Sequence, residues 1–526
     1  MTMPAPRGKT SAPRTIRSSA QQSVHAAGRR GAAPNKPRAY ALNLALPALN
    51  GYVRQEVQSL TKRNVERKTR HLVRILNLAY FRCRPHKRPL AYGDIPGYNA
   101  FEQMMSASAF TARELRKGLG GSTGDYTKYM RLFFDFVPGN SGYSRNRRIT
   151  KGYVLKPSTV AVLNDCWRST EPGVVVDDTG RPLDSTFYPA NGLDGVSSSI
   201  TVPALITLDR VQLNERITAE ETAAAAIGDG LMKIPVRARH AVALRWLYLV
   251  RKWVITFGGV PNCYRDVRKD GSLGSGRLFG IGELHLQRLK KTARRLCYHG
   301  TGWWDYDFVA CHPRLFLNLA NAVDHECPFL RDYLDHRATI SEEWAEDLDL
   351  PTSKIKRLIN AMIYGQPISE SPHSSLCQLI GKDGVQRVKQ NLYYAAIWGE
   401  IREARTIIID RHTKGDVVIN AVGRERRPLG NEKGKRTRAT KLLSHILNGY
   451  ERWALEIACG ERDDVLVLMH DGWVSRTERN TKEIGRQIRK QSKKRFSFQL
   501  HLKVKSEYTG TTTEHTHTTL TTPISG

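Results

Sequence analysis

The sequence predicts an α+β protein that combines a small, largely antiparallel sheet with long helical regions. Three observations support this class. Apolar residues recur at helical spacing through most of residues 52–269. The segment WWDYDFVACHPRLF, residues 303–316, has the pattern of a strand, a turn and a helix. The segment DDVLVLMHDGWV, residues 463–474, has the pattern of a buried β-hairpin.

The charge balance indicates a polyanionic partner. The chain holds 82 Lys and Arg against 50 Asp and Glu, a net charge of +32 over 526 residues. Such a protein is attracted to nucleic acid or to an acidic membrane surface. Because no apolar run approaches the ~18 residues of a membrane span, we expect nucleic acid and no membrane partner. The sequence carries no signal of oligomeric state.

The cysteines indicate the compartment. All eight are scattered, without a CxxC pair. This pattern favours a reduced, intracellular setting (cytoplasmic, virus-associated or mitochondrial) over a disulfide scaffold, and it contains no zinc signature.

The two ends of the chain differ from its middle. Residues 1–50 are rich in Ala, Pro, Ser and Arg, and the first acid is Glu56. Such a stretch cannot bury a core, so we predict a disordered basic arm. It would serve as a nucleic-acid-binding arm, a solubilising tail or an organelle transit peptide. Residues 509–526 are predicted to be a Thr-rich tail.

Residues 51–271 are predicted to be mainly helical. Residues 53–81 have long helical spacing with a basic face. Pro235 stands at a plausible first position of a second long helix. Residues 170–205 are rich in Gly, Pro, Asp and Ser and are predicted to be loop.

Two aspartates stand at strand ends. Asp307 follows an apolar run and precedes a helical pattern, where the helix dipole also favours a plain solvated acid. Asp471 lies at the tip of the apolar hairpin, where a carboxylate is costly without a compensating partner. Side by side in one sheet, the two could hold two Mg²⁺ ions, the arrangement that two-metal phosphoryl transfer needs.

A third segment, TSKIKRLINAMIYGQP (352–367), adds a cation and an aromatic ring. Lys356 and Tyr364 lie two helical turns apart, on one face. Such a pair could hold the phosphates and the sugar or base of a nucleoside triphosphate. The alternative is an ordinary amphipathic helix that ends at Gly365.

Together these three segments resemble the family A DNA polymerases, of the bacterial DNA polymerase I type, and more distantly the phage-type single-subunit RNA polymerases. DFVACHPRLFLNLA is similar to motif A, with Asp307 in the place of the metal-binding aspartate and Arg314 in that of the motif's arginine. Asp305 lacks the matching spacing to Arg314 and is expected to be secondary. Lys356 and Tyr364-Gly365 match motif B. His470-Asp471 matches motif C.

Weaker similarities extend the resemblance over residues 272–508. It implies a right-hand polymerase with a palm sheet, a helical fingers insertion at about 321–445, and a helical N-terminal region that includes the thumb. The segments SGRLFGIGELHLQRL and ILNGYERWALEIA resemble the parts of the family that contact the primer and template. The residues implied at that contact are Arg277, Gln287, Asn448 and His470.

The chain departs from the family in several places. His312 stands where the family usually has a Glu that excludes the ribose 2′-hydroxyl. Asn360 replaces an aromatic residue of motif B, and Gly472 replaces the Glu after His-Asp. Residues before Arg277 contain no Asp-x-Glu pair, so we expect no proofreading exonuclease.

The resemblance implies a template-directed polymerase that adds nucleoside triphosphates to a 3′-hydroxyl on a primer-template. Asp307 and Asp471 would bind two Mg²⁺ ions, with Mn²⁺ as a substitute, and Lys356 would join them in catalysis. The implied nucleotide-binding residues are His312, Arg314, Lys356, Asn360, Tyr364 and Gly365. DNA synthesis is favoured, in a virus, plasmid or organelle element. The alternatives are a single-subunit RNA polymerase and a non-enzymatic basic nucleic-acid-binding protein.

Overall fold

Helices and short strands alternate along the chain. The computed structural model describes residues 43–81, 105, 107–110, 115, 119, 123–136, 151–176, 182, 192–193, 196, 198–227, 234–266, 274–281, 285–289, 291–366, 368–372, 374–427, 435–492 and 500–508. All of them belong to one compact unit, Tyr40–Gly526. The helices are α1 (Pro47–Leu60), α2 (Val65–Phe81), α3 (Thr123–Phe133), α4 (Pro157–Arg168), α5 (Arg210–Ala226), α6 (Ile234–Phe257), α7 (Lys291–Tyr298), α8 (Cys311–Asn321), α9 (Pro328–Asp335), α10 (Arg337–Asp347), α11 (Thr352–Ile363), α12 (Ser375–Gln390), α13 (Leu392–Arg411), α14 (Lys435–Cys459) and α15 (Thr481–Ser492).

The strands are short and pair antiparallel. They are β1 (Asn43–Ala45), β2 (Ala107–Phe110), β3 (Phe134–Phe136), β4 (Lys151–Leu155), β5 (Val174–Val176), β6 (Leu205–Ile206), β7 (Val260–Pro261), β8 (Tyr264–Arg265), β9 (Phe279–Gly280), β10 (Trp304–Phe308), β11 (Thr413–Lys414), β12 (Val417–Ile419), β13 (Glu425–Arg426), β14 (Val465–Leu468), β15 (Gly472–Ser475) and β16 (Leu502–Glu507). The mixed helix and antiparallel-sheet class that the sequence predicts is therefore confirmed.

The central sheet has four strands in the order β14-β15-β10-β16. Its hairpin, β14 and β15, and its strand-turn-helix unit, β10 and α8, are the two local units that the sequence predicts. β10 lies between β15 and β16 and pairs antiparallel with both. The sheet thus joins segments from three distant parts of the chain.

Two hydrophobic cores cover the two faces of this sheet. Val465, Leu468 and Trp473 pack into the core formed with α8 to α14. Leu466 and Val474 pack into the core formed with the helices before the sheet. Because both faces are buried, the hairpin has the continuous apolar run VLVL instead of an alternating pattern.

Side chains from an earlier segment complete the backbone hydrogen bonds of the edge strand β14. Leu468 N donates to the Tyr264 hydroxyl at 2.7 Å. Asn262 Nδ2 donates to Leu466 O at 2.6 Å. Gln287 Nε2 donates to Leu468 O at 3.1 Å. The three side chains satisfy polar backbone groups that would otherwise be buried without partners.

The structure corrects three details of the N-terminal prediction. The long helical pattern of residues 53–81 is two helices, interrupted near Asn64, which has a left-handed φ of 55°. The predicted basic arm ends earlier than residue 50, because Leu44 and Leu49 are buried and β1 pairs with β5. A three-stranded sheet, β2-β4-β3, lies within the region predicted to be helical. Its strands pair across long sequence separations, which local spacing does not reveal.

Some expectations fall outside the described residues. These are the arm before Asn43 and the Thr-rich tail from residue 509. Across the part of the chain that is described, no helix is long and apolar enough to cross a membrane.

We predict that Tyr264→Phe destabilises the protein by about 1–3 kcal/mol, because it leaves the buried Leu468 N–H without an acceptor. The measurement is the urea midpoint of unfolding. Tyr298→Phe is the matched control, since Tyr298 is as fully buried but its hydroxyl has no hydrogen-bond partner among the described residues. Equal midpoints for the two variants would contradict the prediction.

Candidate active site

Strand pairing brings Asp307 and Asp471 together. Asp307 is paired with Gly472, the residue after Asp471, in the register of β10 and β15. Phe308 N donates to Asp471 O at 2.8 Å, which extends the ladder by one bond. The two aspartates therefore stand at the same end of neighbouring strands.

Gly472 is required by this register. A Cβ atom at this position would collide with the backbone oxygen of Tyr306 on the adjacent strand. The absence of a side chain lets β10 and β15 approach closely beside the two aspartates. This contact gives a steric reason for a glycine at this position.

The Asp307 carboxylate is largely enclosed, with 20% of its side chain exposed. Burial raises its pKa, and the nearby Asp471 raises it further. Lys505 Nζ lies 3.6 Å from Asp307 Oδ1 and partly compensates the charge. Asp305, the other acid of β10, is buried, and its Oδ2 accepts from the Tyr508 hydroxyl at 3.2 Å.

The donor set of Asp307 and Asp471 fits a divalent cation. Both carboxylates line the cavity, where their oxygens can serve as ligands, and Asp307 also forms an ion pair with Lys505. Hard carboxylate oxygens are the ligands that Mg²⁺ and Mn²⁺ prefer. No set of three or more His, Cys, Asp or Glu side chains forms a metal cage in the described ranges. Two carboxylates would leave the other coordination positions to water and substrate oxygens.

Both aspartates line a cavity of about 430 Å³. Its walls come from β10, the N-terminal end of α8, helices α9, α10, α11 and α14, the turn between β14 and β15, and β16, together with Arg277. Four basic and three acidic side chains line it. The charged lining residues are Arg277, Asp307, Arg337, Lys356, Glu451, Asp471 and Lys503.

One face of α11 forms a wall of this cavity. Lys356, Asn360 and Tyr364 follow one another at intervals of about one helical turn, and all three line it. Gly365 ends the helix with a φ of +69°, where a Cβ atom would collide with the Arg405 guanidinium. The helix thus carries a cation, an amide and a phenol along one side of the cavity.

A buried polar network crosses the floor of the cavity. His312 Nε2 lies 2.7 Å from Glu451 Oε2, and Tyr364 OH is hydrogen-bonded to His312 Nδ1. Arg277 Nη2 donates to Glu451 Oε2 at 2.9 Å. Burial raises the pKa of the Tyr364 hydroxyl, and the Glu451 charge raises it further. With a hydrogen on Nε2, the His312 ring can donate to Glu451 and accept from the Tyr364 hydroxyl at Nδ1.

Two predicted site residues lie elsewhere. Arg314, expected at the nucleotide, donates from Nη2 to Leu334 O at 2.8 Å and lies 3.8 Å from Asp335. The Arg314 side chain is largely buried and does not line the cavity. Gln287, expected at the primer, is buried and bridges Leu278 O and Leu468 O. Its amide completes the sheet, so it is not exposed to a partner.

Of the remaining predicted primer residues, Arg277 lines the cavity, whereas Asn448 and His470 do not. Asn448 Nδ2 donates to Ser275 Oγ at 3.0 Å, and its Oδ1 is buried without a partner among the described residues. The His470 ring packs edge-on against Phe279, with centroids 5.3 Å apart. Burial, with a smaller contribution from the charge of Arg277, lowers the pKa of His470 to about 4, so the ring is neutral at pH 7.

Sequence reasoning missed three charged cavity residues, namely Glu451, Arg337 and Lys503. Glu451 could have been found from the sequence, because it is an acid on the apolar stripe of α14. In the structure only 1% of its side chain is exposed. Lys503 stands opposite Asp307 in the register of β10 and β16, which the sequence does not reveal. Arg337 begins α10 and has no distinguishing pattern.

The chain matches no family model and no curated protein. Among solved structures it is similar to the POL domain of Pol1 from M. smegmatis in complex with DNA primer-template and dNTP. The identity is 14%, the match covers 59% of this chain and 68% of that chain, and the TM-score is 0.39. This is a weak likeness at the level of the fold.

Proposed function

We propose that the protein is a template-directed nucleic-acid polymerase that extends a 3′-hydroxyl with nucleoside triphosphates. One observation carries this proposal. Asp307 and Asp471, on neighbouring strands, line a single cavity together with Lys356, Arg337 and Lys503. Paired carboxylates beside a group of cations suit a reaction between a metal-bound triphosphate and a hydroxyl.

In this proposal the central sheet is the palm, residues of about 321–445 are the fingers, and the helical region before residue 272 includes the thumb. Asp307 and Asp471 would hold the divalent ions. The ions would supply Lewis-acid activation of the hydroxyl and neutralisation of the triphosphate. Lys356, Arg337 and Lys503 would bind phosphate oxygens.

The network around His312 supports deoxynucleotide use. Each ring nitrogen of His312 already has a partner, Tyr364 at one side and Glu451 at the other. Neither nitrogen is left to recognise a 2′-hydroxyl. A ring held from both sides acts as a fixed wall, which favours exclusion of that hydroxyl by size.

The rival classes make different demands on the site. A non-enzymatic nucleic-acid-binding protein needs cations but gains nothing from two neighbouring carboxylates, which repel its ligand. A single-subunit RNA polymerase uses the same two-carboxylate chemistry and differs at the sugar. Primer extension on DNA and RNA templates, with each nucleotide set, separates the three.

We predict that Asp307→Asn and Asp471→Asn each lower primer extension by at least ~1,000-fold, about 4 kcal/mol of transition-state stabilisation. The physical reason is the loss of one of two anionic ligands for the divalent ions. Template binding, measured by fluorescence anisotropy, should change little, because neither aspartate attracts a polyanion.

Asp305→Asn is the matched control. It removes the same charge from the same strand, but Asp305 is buried and does not line the cavity. We expect a modest loss of extension. Loss of activity in Asp305→Asn with retention in Asp307→Asn would mean that the assignment is shifted by two residues.

We predict that His312→Gly raises ribonucleotide incorporation relative to deoxynucleotide incorporation by at least tenfold, which corresponds to ~1.4 kcal/mol. Removing the ring opens the space beside Tyr364. The measurement is the ratio of kcat/KM for matched ribo- and deoxynucleoside triphosphates. A fall in ribonucleotide incorporation would instead mean that His312 hydrogen-bonds to the ribose 2′-hydroxyl and that the protein makes RNA.

We predict that Glu451→Gln shifts the same ratio in the same direction, but by less than His312→Gly. Gln keeps the size of the side chain and removes the charge that holds His312 and Arg277. The His312 ring would then be held at Nε2 by a weaker, uncharged hydrogen bond. An unchanged incorporation ratio, with normal folding by circular dichroism, would show that the Glu451 charge does not hold the His312 ring in place.

A further inference from the structure

An irregularity in β16 directs a lysine at one of the two cavity aspartates. In the register of β10 with β16, Asp305 is paired with Ser506 and Tyr306 with Val504. Lys505 is the extra residue of this bulge and has no partner on β10. Bulges of this kind often redirect a side chain beside a functional site.

The Lys505 side chain reaches Asp307. Its Nζ atom lies 3.6 Å from Asp307 Oδ1, and the two side chains are only 27% and 20% exposed. At this distance and degree of enclosure, the attraction is stronger than that of an ordinary surface ion pair. The contact also offsets the repulsion between Asp307 and Asp471.

A divalent cation at Asp307 would meet the same lysine. The cation and the Lys505 ammonium carry like charges, and both are attracted to one carboxylate. For the cation to bind tightly, Lys505 must move away or must find another anion. The phosphates of a nucleotide in the cavity are such an anion, and the neighbouring Lys503 already lines that cavity.

We propose that Lys505 is an internal counter-ion of Asp307 that competes with divalent cations. Tight metal binding then requires a phosphate-bearing ligand that pairs with Lys505 in place of Asp307. The choice of a nucleoside triphosphate as that ligand rests on the proposed function. The competition at Asp307 does not. Lys505 is thus a positioning residue that links metal binding to substrate binding.

The experiment measures Mn²⁺ binding by electron paramagnetic resonance, with the full chain and no nucleic acid. Lys505→Met should bind Mn²⁺ alone at least tenfold more tightly than the wild type, a change that corresponds to ~1.4 kcal/mol. A non-hydrolysable nucleoside triphosphate analogue should tighten Mn²⁺ binding to the wild type. It should do so much less in Lys505→Met, because the competing charge is already absent.

Lys503→Met is the matched control. It removes the same charge from the same strand, at a position that pairs regularly with Asp307 and has no carboxylate within ion-pair distance in the described part of the chain. We expect a much smaller gain in Mn²⁺ affinity than in Lys505→Met. Equal gains would assign the effect to general charge and overturn the proposal.

Three further variants test the same proposal. Lys505→Arg retains the charge and should bind Mn²⁺ as weakly as the wild type, and Lys505→Gln replaces Lys505→Met if that variant fails to fold. Adding Asp307→Asn to Lys505→Met should abolish the gained affinity. Survival of the gain, or no gain in Lys505→Met, would overturn the proposal. Failure of primer extension by the wild type would overturn the proposed function and leave this result intact.

Discussion

The antiparallel pairing of β10 with β15 is the interaction on which the candidate site depends. It sets Asp307 opposite Gly472 and next to Asp471, and it requires a residue without a side chain at the contact. Two carboxylates are thereby held closer than their charges favour. The charges of Lys503 and Lys505 partly offset the repulsion between the two carboxylates.

The rest of the fold makes this pairing rigid. The hairpin is buried on both faces, so a one-residue slip would move its side chains into the opposite core and disrupt the packing of both. Its outer edge is closed by the Asn262, Tyr264 and Gln287 side chains. The helical region before the sheet is therefore part of the support of the site, whatever it contacts in a complex.

The cavity floor shows how a buried charge is accommodated. Glu451 is almost fully enclosed and is tolerated because Arg277 and His312 both contact its carboxylate. Arg277, Glu451, His312 and Tyr364 act as a unit, because removing any one of them leaves another without its partner. The position of the His312 ring is therefore set by its contacts with Glu451 and Tyr364 and not by its own rotamer preference alone.

The sequence by itself determined the local units: the strand before Asp307, the hairpin that carries Asp471, and the helix face with Lys356 and Tyr364. Spacing along a few residues was enough for these. Only the tertiary structure decided that Arg314 turns away from the cavity, that Gln287 closes the sheet, and that Glu451 and Lys505 reach the site. Each of these depends on a contact between residues far apart in the chain or on a one-residue bulge. Periodicity in the sequence indicates which face of a helix or strand a residue occupies. It does not indicate which other element packs against that face.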